Sequence, residues 1–75
     1  MKQSFNIQFR SLDAIEKFSY DIANLKGQFD LVCGRKTVDA KSFLGILSLD
    51  LSGPLTLYAW ADDEKSIEVL KNYQV

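Results

Sequence analysis

The residue with the clearest potential for chemistry is Ser42, whose hydroxyl comes directly before the apolar run Phe43 to Leu47. Serine favours the N-cap of a helix, because its side-chain oxygen accepts a hydrogen bond from a free backbone N–H of the first turn. The same hydroxyl can carry a phosphate, whose negative charge is favourable beside a helix N-terminus. Ser42 is therefore predicted to be either a structural cap or a phosphorylated switch.

The remaining residues offer little catalytic chemistry. The sequence contains no histidine, and therefore no imidazole to act as a base, a phosphate carrier or a metal ligand. Cys33 continues the inward-facing strand pattern of Phe29 and Leu31, which predicts a buried small hydrophobe rather than a nucleophile. The carboxylates from Asp62 to Glu64 favour helix capping over metal binding. We therefore expect no enzymatic activity, no metal and no cofactor.

Composition places the chain among ordinary globular proteins. It has 75 residues, of which 47% are hydrophobic and 25% charged, with a formal net charge of −1. One hydrophobic core suits this length, so we expect a single domain spanning residues 1–75. The interspersed charges argue against a nucleic-acid partner, and no apolar run is long enough for a membrane helix. With one cysteine and no signal-like N-terminus, the protein is expected to be cytoplasmic.

Apolar spacing predicts seven secondary-structure elements. In order, they are a strand at 4–9, a helix at 14–26, strands at 28–33 and 36–39, a short helix after Ser42, a strand at 55–60 and a last helix. Asp13 is the expected N-cap of the first helix, and Asp62 or Asp63 that of the last. The strands other than the third have one apolar and one mainly polar face, which predicts an α+β open-faced sandwich.

The segment Arg35 to Leu49 and, more weakly, Leu55 to Leu70 resemble HPr, the phosphocarrier of the bacterial sugar phosphotransferase system. With the order of elements, the resemblance covers nearly the whole chain. It implies a βαββαβα fold with a four-stranded antiparallel sheet and three helices on one face. It also implies that the first strand lies beside the last, followed by the second and the third.

The chain departs from HPr in the loop that carries the phosphorylated histidine of that family. The corresponding segment, Arg10 to Ala14, is about three residues shorter and has neither the histidine nor the proline. Arg10 does not align with the arginine that helps to hold the phosphate in HPr. Transfer of phosphate through an imidazole is therefore excluded for this chain.

The resemblance leaves a regulatory role through Ser42. It aligns Ser42 with the serine that a dedicated kinase phosphorylates in HPr, and in its histidine-lacking paralogue Crh, to control carbon catabolite repression. A kinase or a transcriptional regulator would then dock around Ser42. The residues expected to take part are Lys41, beside the phosphate, and the apolar Phe43, Leu44 and Ile46. These apolar residues are equally well explained as core.

A second candidate surface lies on the predicted open face of the sheet. If Leu55 and Leu57 point towards the helices, Tyr58 and Trp60 point away from them, and Val32 extends the patch. Exposed aromatic residues often mark association surfaces, which predicts a homodimer or a divergent protein-binding module without a phosphotransferase role. Alternatively, Trp60 folds over polar neighbours or packs against the C-terminal tail.

Overall fold

In the part of the chain that the structure describes, four strands and three helices follow one another in the predicted βαββαβα order. The computed structural model describes residues 2–61 and 63–75. Its elements are β1 (Lys2–Ile7), α1 (Leu12–Ala23), β2 (Gln28–Cys33), β3 (Lys36–Asp39), α2 (Phe43–Leu47), β4 (Leu55–Trp60) and α3 (Glu64–Lys71). The α+β prediction is confirmed, with β1 ending two residues earlier than the alternation of the sequence predicts.

The strands form one antiparallel sheet in the order β1-β4-β2-β3. The register aligns Phe5 with Leu57, Leu57 with Leu31, and Leu31 with Val38, so one row of apolar side chains crosses the whole sheet. This order is the one that the resemblance implies. It places β4 between two partners and leaves β1 and β3 at the edges.

The core lies between this apolar face and the helices. Phe18 of α1 is fully buried and packs edge-on against Phe9, with ring centroids 5.1 Å apart. The buried apolar side chains are Phe5, Ile7, Phe9, Ile15, Phe18, Ile22, Phe29, Leu31, Ala40, Ile46, Leu49, Leu55, Leu57, Ala59, Ala61 and Leu70. The strand residues between these buried positions point to the opposite face of the sheet, which the described helices leave uncovered.

The first helix begins earlier than predicted and ends earlier. Ser11, not Asp13, is its N-cap, and the Ser11 side chain accepts a hydrogen bond of 3.1 Å from the Ala14 N–H. Asp13 lies instead in the first turn, where its negative charge interacts favourably with the helix dipole. The helix stops at Ala23 with Asn24 as its C-cap, rather than continuing to residue 26.

Ser11→Ala is expected to lower the free energy of unfolding by about 1 kcal/mol, because the Ala14 N–H loses its capping partner. Asp13→Ala should lower it by at most about 0.5 kcal/mol, since only the interaction with the helix dipole is lost. Urea unfolding of both variants measures the difference. A larger loss for Asp13→Ala would mean that Asp13 is the true cap.

The start of α3 partly follows the prediction. Asp63 has the extended backbone of an N-cap, but its side chain accepts a hydrogen bond from the Ser66 hydroxyl at 2.7 Å rather than from a backbone N–H. That hydrogen bond lowers the pKa of Asp63 below its usual value. The alternative cap, Asp62, lies outside the described residues.

The C-terminal segment is fastened to the sheet edge and to α1. Gln74 forms a bridge with Ile7, and the Val75 N–H donates to the Asn6 carbonyl at 2.8 Å. The Tyr73 ring packs edge-on against Phe18, and its hydroxyl donates to a carboxylate oxygen of Asp21. Burial, followed by this hydrogen bond and the charge of Asp21, raises the pKa of Tyr73 above its ordinary value.

This raised pKa makes the free energy of unfolding depend on pH in the alkaline range. Because the folded protein holds the phenol neutral, its contribution is complete below the unfolded pKa, about 10, and is lost as pH rises beyond that value. We expect the stability difference between the wild type and Tyr73→Phe to shrink between about pH 9 and 11. Urea unfolding of both proteins across this range measures it. A constant difference would contradict the expectation, since the two proteins differ only in the hydroxyl of residue 73.

Candidate functional site

The segment around Ser42 forms a short helix that is held at both ends. Ser42 is exposed and has extended backbone angles, and its Oγ accepts a hydrogen bond of 3.1 Å from the Gly45 N–H. The Ser42 carbonyl accepts from the Ile46 N–H at 3.0 Å. At the other end, Lys36 Nζ donates to the Ser48 carbonyl at 3.1 Å, which suits the negative end of the helix dipole. The predicted capping role of Ser42 is confirmed.

The apolar residues of α2 separate into a buried and an exposed set. Ile46 has no exposed surface and Phe43 is half-buried, whereas Leu44 is 79% exposed and Leu47 is 41% exposed. Ile46 therefore belongs to the core and is not available for docking, contrary to its predicted part in that surface. Leu47 was not among the predicted docking residues, although its spacing of three from Leu44 indicates a shared helix face.

Lys41 is next to Ser42 in sequence, but its side chain is already engaged. Its Nζ donates to the Leu25 carbonyl at 2.8 Å and lies 5.6 Å from the centre of the Phe29 ring. Its backbone N–H donates to a carboxylate oxygen of Asp39 at 2.9 Å. Lys41 thus connects the start of α2 to the chain just after α1, a contact between residues 16 positions apart.

The loop before α1 contains no histidine. Arg10 and Ser11 are both exposed, and the Ser11 side chain accepts a hydrogen bond from the Ala14 N–H of the first turn.

Cys33 is half-buried rather than buried, with its sulfur 3.6 Å from the Asp50 carbonyl oxygen. Within residues 2–61 and 63–75, no three potential metal ligands come together. None of the helices described has the length and apolarity needed to cross a membrane.

The aromatic pair of β4 lies on the sheet face away from the helices. Trp60 is 37% exposed and Tyr58 is half-buried, with their ring centroids 6.4 Å apart. Lys2 Nζ lies 4.6 Å from the Tyr58 centroid and 5.9 Å from that of Trp60. Val32 is half-buried and pairs with Thr56, two residues from Tyr58 along β4. Val32 is therefore a diagonal neighbour of Tyr58 on this face, and Lys2 adds a cation that the sequence analysis did not predict.

Comparisons with solved structures identify the fold. HPr-C-His from Thermoanaerobacter tengcongensis matches with a TM-score of 0.77 and 24% identity, over 96% of this chain and 88% of that chain. A phosphocarrier protein HPr from Bacillus anthracis str. Ames matches with a TM-score of 0.79 and 21% identity, over 100% of this chain and 96% of that one. Comparison with protein-family models gives no match, and neither does comparison with curated sequences. The chain therefore has an HPr-like fold.

Proposed function

We propose that this chain is an HPr-like regulatory protein that is phosphorylated on Ser42 and acts by binding a kinase or a transcriptional regulator. It would act without catalysis of its own, in the cytoplasm of a bacterium and in carbon catabolite regulation, as Crh does. The observation that carries the proposal is the exposed Ser42 at the start of α2, a helix on which Leu44 is 79% exposed and Leu47 is 41% exposed. Two large apolar side chains left in solvent on the helix that a modifiable serine caps favour a docking surface over a purely structural cap.

A phosphate on Ser42 fits the local backbone. It would add up to about two negative charges at the N-terminal end of α2, where first-turn N–H groups point towards it. One of these groups is the Gly45 N–H, which already donates to the Ser42 side chain at 3.1 Å. Because phosphate oxygens can accept the same hydrogen bond, the modification would change the surface without unfolding the helix.

Lys41 is the cation closest in sequence to this phosphate. Its Nζ now donates to the Leu25 carbonyl, so pairing with a phosphate would draw the ammonium away from the chain that follows α1. A charge-assisted hydrogen bond to phosphate is stronger than one to a neutral carbonyl, which favours the exchange. A partner would then meet a phosphate held by Lys41 beside the exposed faces of Leu44 and Leu47.

Incubation with an HPr kinase and ATP, followed by mass spectrometry of the peptides, tests the proposal. Phosphate located on Ser42 would support it. Absence of phosphate from Ser42 in a folded sample, with an ordinary HPr phosphorylated in parallel, would overturn it.

A second candidate function is favoured by the aromatic patch on the other side of the molecule. Trp60 and Tyr58 on β4 give the open sheet face the anchors of a protein-binding module that needs no phosphate. Binding of a partner that persists in Ser42→Ala and is lost in Trp60→Ala would favour this function over the first.

A further inference from the structure

Charge is unevenly distributed over the open face, which we define by Lys2 on β1, Tyr58 and Trp60 on β4, Asp30 and Val32 on β2, and Asp39 on β3. Asp30 and Asp39 are direct cross-strand partners on β2 and β3, so the strand pair carries two acidic residues at one level of the sheet, of which Asp39 accepts a hydrogen bond from the Lys41 N–H. Like charges in this position destabilise a strand pair. A cation placed above them from outside the sheet would relieve the repulsion.

The matching cation lies on the other half of the same face. Lys2 Nζ lies over the Tyr58 ring, at 4.6 Å from its centroid, and Tyr58 is the cross-strand partner of Asp30. The open face therefore carries positive charge above β4 and negative charge on β2 and β3. A surface with opposite charges on its two halves is complementary to a copy of itself.

We propose that the open face binds a second copy of this chain. The two copies are related by a two-fold axis that lies above the open face, parallel to the strands and midway between β4 and β2. This rotation lays β4 over β2 of the second copy and β1 over its β3. Lys2 then meets the Asp30 and Asp39 pair of the second copy, and Tyr58 and Trp60 cover its β2. Face-to-face packing of two sheets at about 10 Å is a common arrangement.

The size of the face sets the strength of this association. Four strands at about 4.8 Å spacing and six residues at about 3.3 Å rise give a footprint of roughly 400 Å². Standard protein interfaces bury about 800 Å² on each partner, so we expect a weak dimer, present at about 1 mM and dissociated at about 10 µM. Because the complementarity is electrostatic, added salt should weaken it.

Sedimentation equilibrium between these two concentrations at low salt tests the proposal on the unphosphorylated protein, and so independently of Ser42. Trp60 is the only tryptophan of the chain, so its emission should shift to the blue as the dimer forms. Lys2→Glu should weaken association at least about tenfold, because it places like charges opposite each other. Lys2→Glu combined with Asp30→Lys should recover it.

Arg10→Glu is the matched control, since it makes the same change in net charge in an exposed loop away from this face. It should leave association unchanged, and circular dichroism establishes that each variant is folded. A strict monomer at about 1 mM in low salt would overturn the proposal. The proposal would also be overturned by a dimer whose association is not weakened by Lys2→Glu and whose formation does not shift the Trp60 emission, because another surface would then mediate it.

Discussion

Phosphate incorporation by an HPr kinase is expected to fall to background in Ser42→Ala and to remain at the wild-type level in Ser48→Ala. The two serines lie at opposite ends of α2 and both are exposed, so they compare positions rather than accessibility. The Ser42 Oγ accepts its hydrogen bond from Gly45, whereas the Ser48 hydroxyl donates to the Gly45 carbonyl at 2.6 Å. Only a phosphate at Ser42 would face the positive end of the helix dipole.

Loss of the cap complicates Ser42→Ala, because it is expected to cost about 1 kcal/mol of stability. Circular dichroism and urea unfolding must therefore show that the variant is folded under the assay conditions. Ser42→Thr keeps a capping hydroxyl and serves as a second control for stability. Equal incorporation in the wild type and in folded Ser42→Ala would place the phosphate elsewhere and contradict the expectation.

Gly27→Ala is expected to lower the free energy of unfolding by about 2–4 kcal/mol, the largest stability effect that we predict. Gly27 has a φ of +128°, which residues with a side chain rarely adopt. A Cβ at this position would lie 2.5 Å from the Trp60 carbonyl oxygen and 3.3 Å from the Ala61 Cα. Both contacts involve backbone atoms at the end of β4, which cannot move aside as a flexible side chain can.

Two other glycines distinguish the cost of a positive φ from the cost of a steric clash with the added Cβ. Gly34 has a φ of +60° but no atom within 4 Å of an added Cβ, so Gly34→Ala should cost only about 1–2 kcal/mol. Gly53 has neither constraint, and Gly53→Ala should change stability by less than about 0.5 kcal/mol. Urea unfolding of the three variants tests the order. An equal loss for Gly27→Ala and Gly34→Ala would contradict the close approach.

Local pattern was sufficient to predict four strands, and the bounds of β2, β3 and β4 but not those of β1. β4 matches the predicted bounds because Leu55, Leu57 and Ala59 alternate without interruption with polar or aromatic residues. The cap at Ser42 was equally accessible to sequence reasoning, since a serine before an apolar run has few other roles in a helix. In both cases the physics that decides the structure acts within a few residues.

The remaining features depend on contacts that the sequence does not reveal. Ser11 and Asp13 are both good caps, and which one starts α1 depends on the path of the chain leaving β1. In α2, one turn and a half of helix can bury only one face, and packing against the sheet selected Ile46 over Leu44. Lys41 contacts Leu25 only because the fold brings residues 16 positions apart together.

The sheet order also has a consequence for how the molecule is made. β1 pairs along its length with β4, and β4 is also the main partner of β2, so until β4 has been synthesised only the β2–β3 hairpin can form. The pairing of Lys2 with Trp60 closes a loop of more than 50 residues, and such non-local pairing slows folding. During translation β1 therefore has no strand partner until β4 has been made. Its alternating apolar residues stay exposed for that time and are a site at which a chaperone can bind.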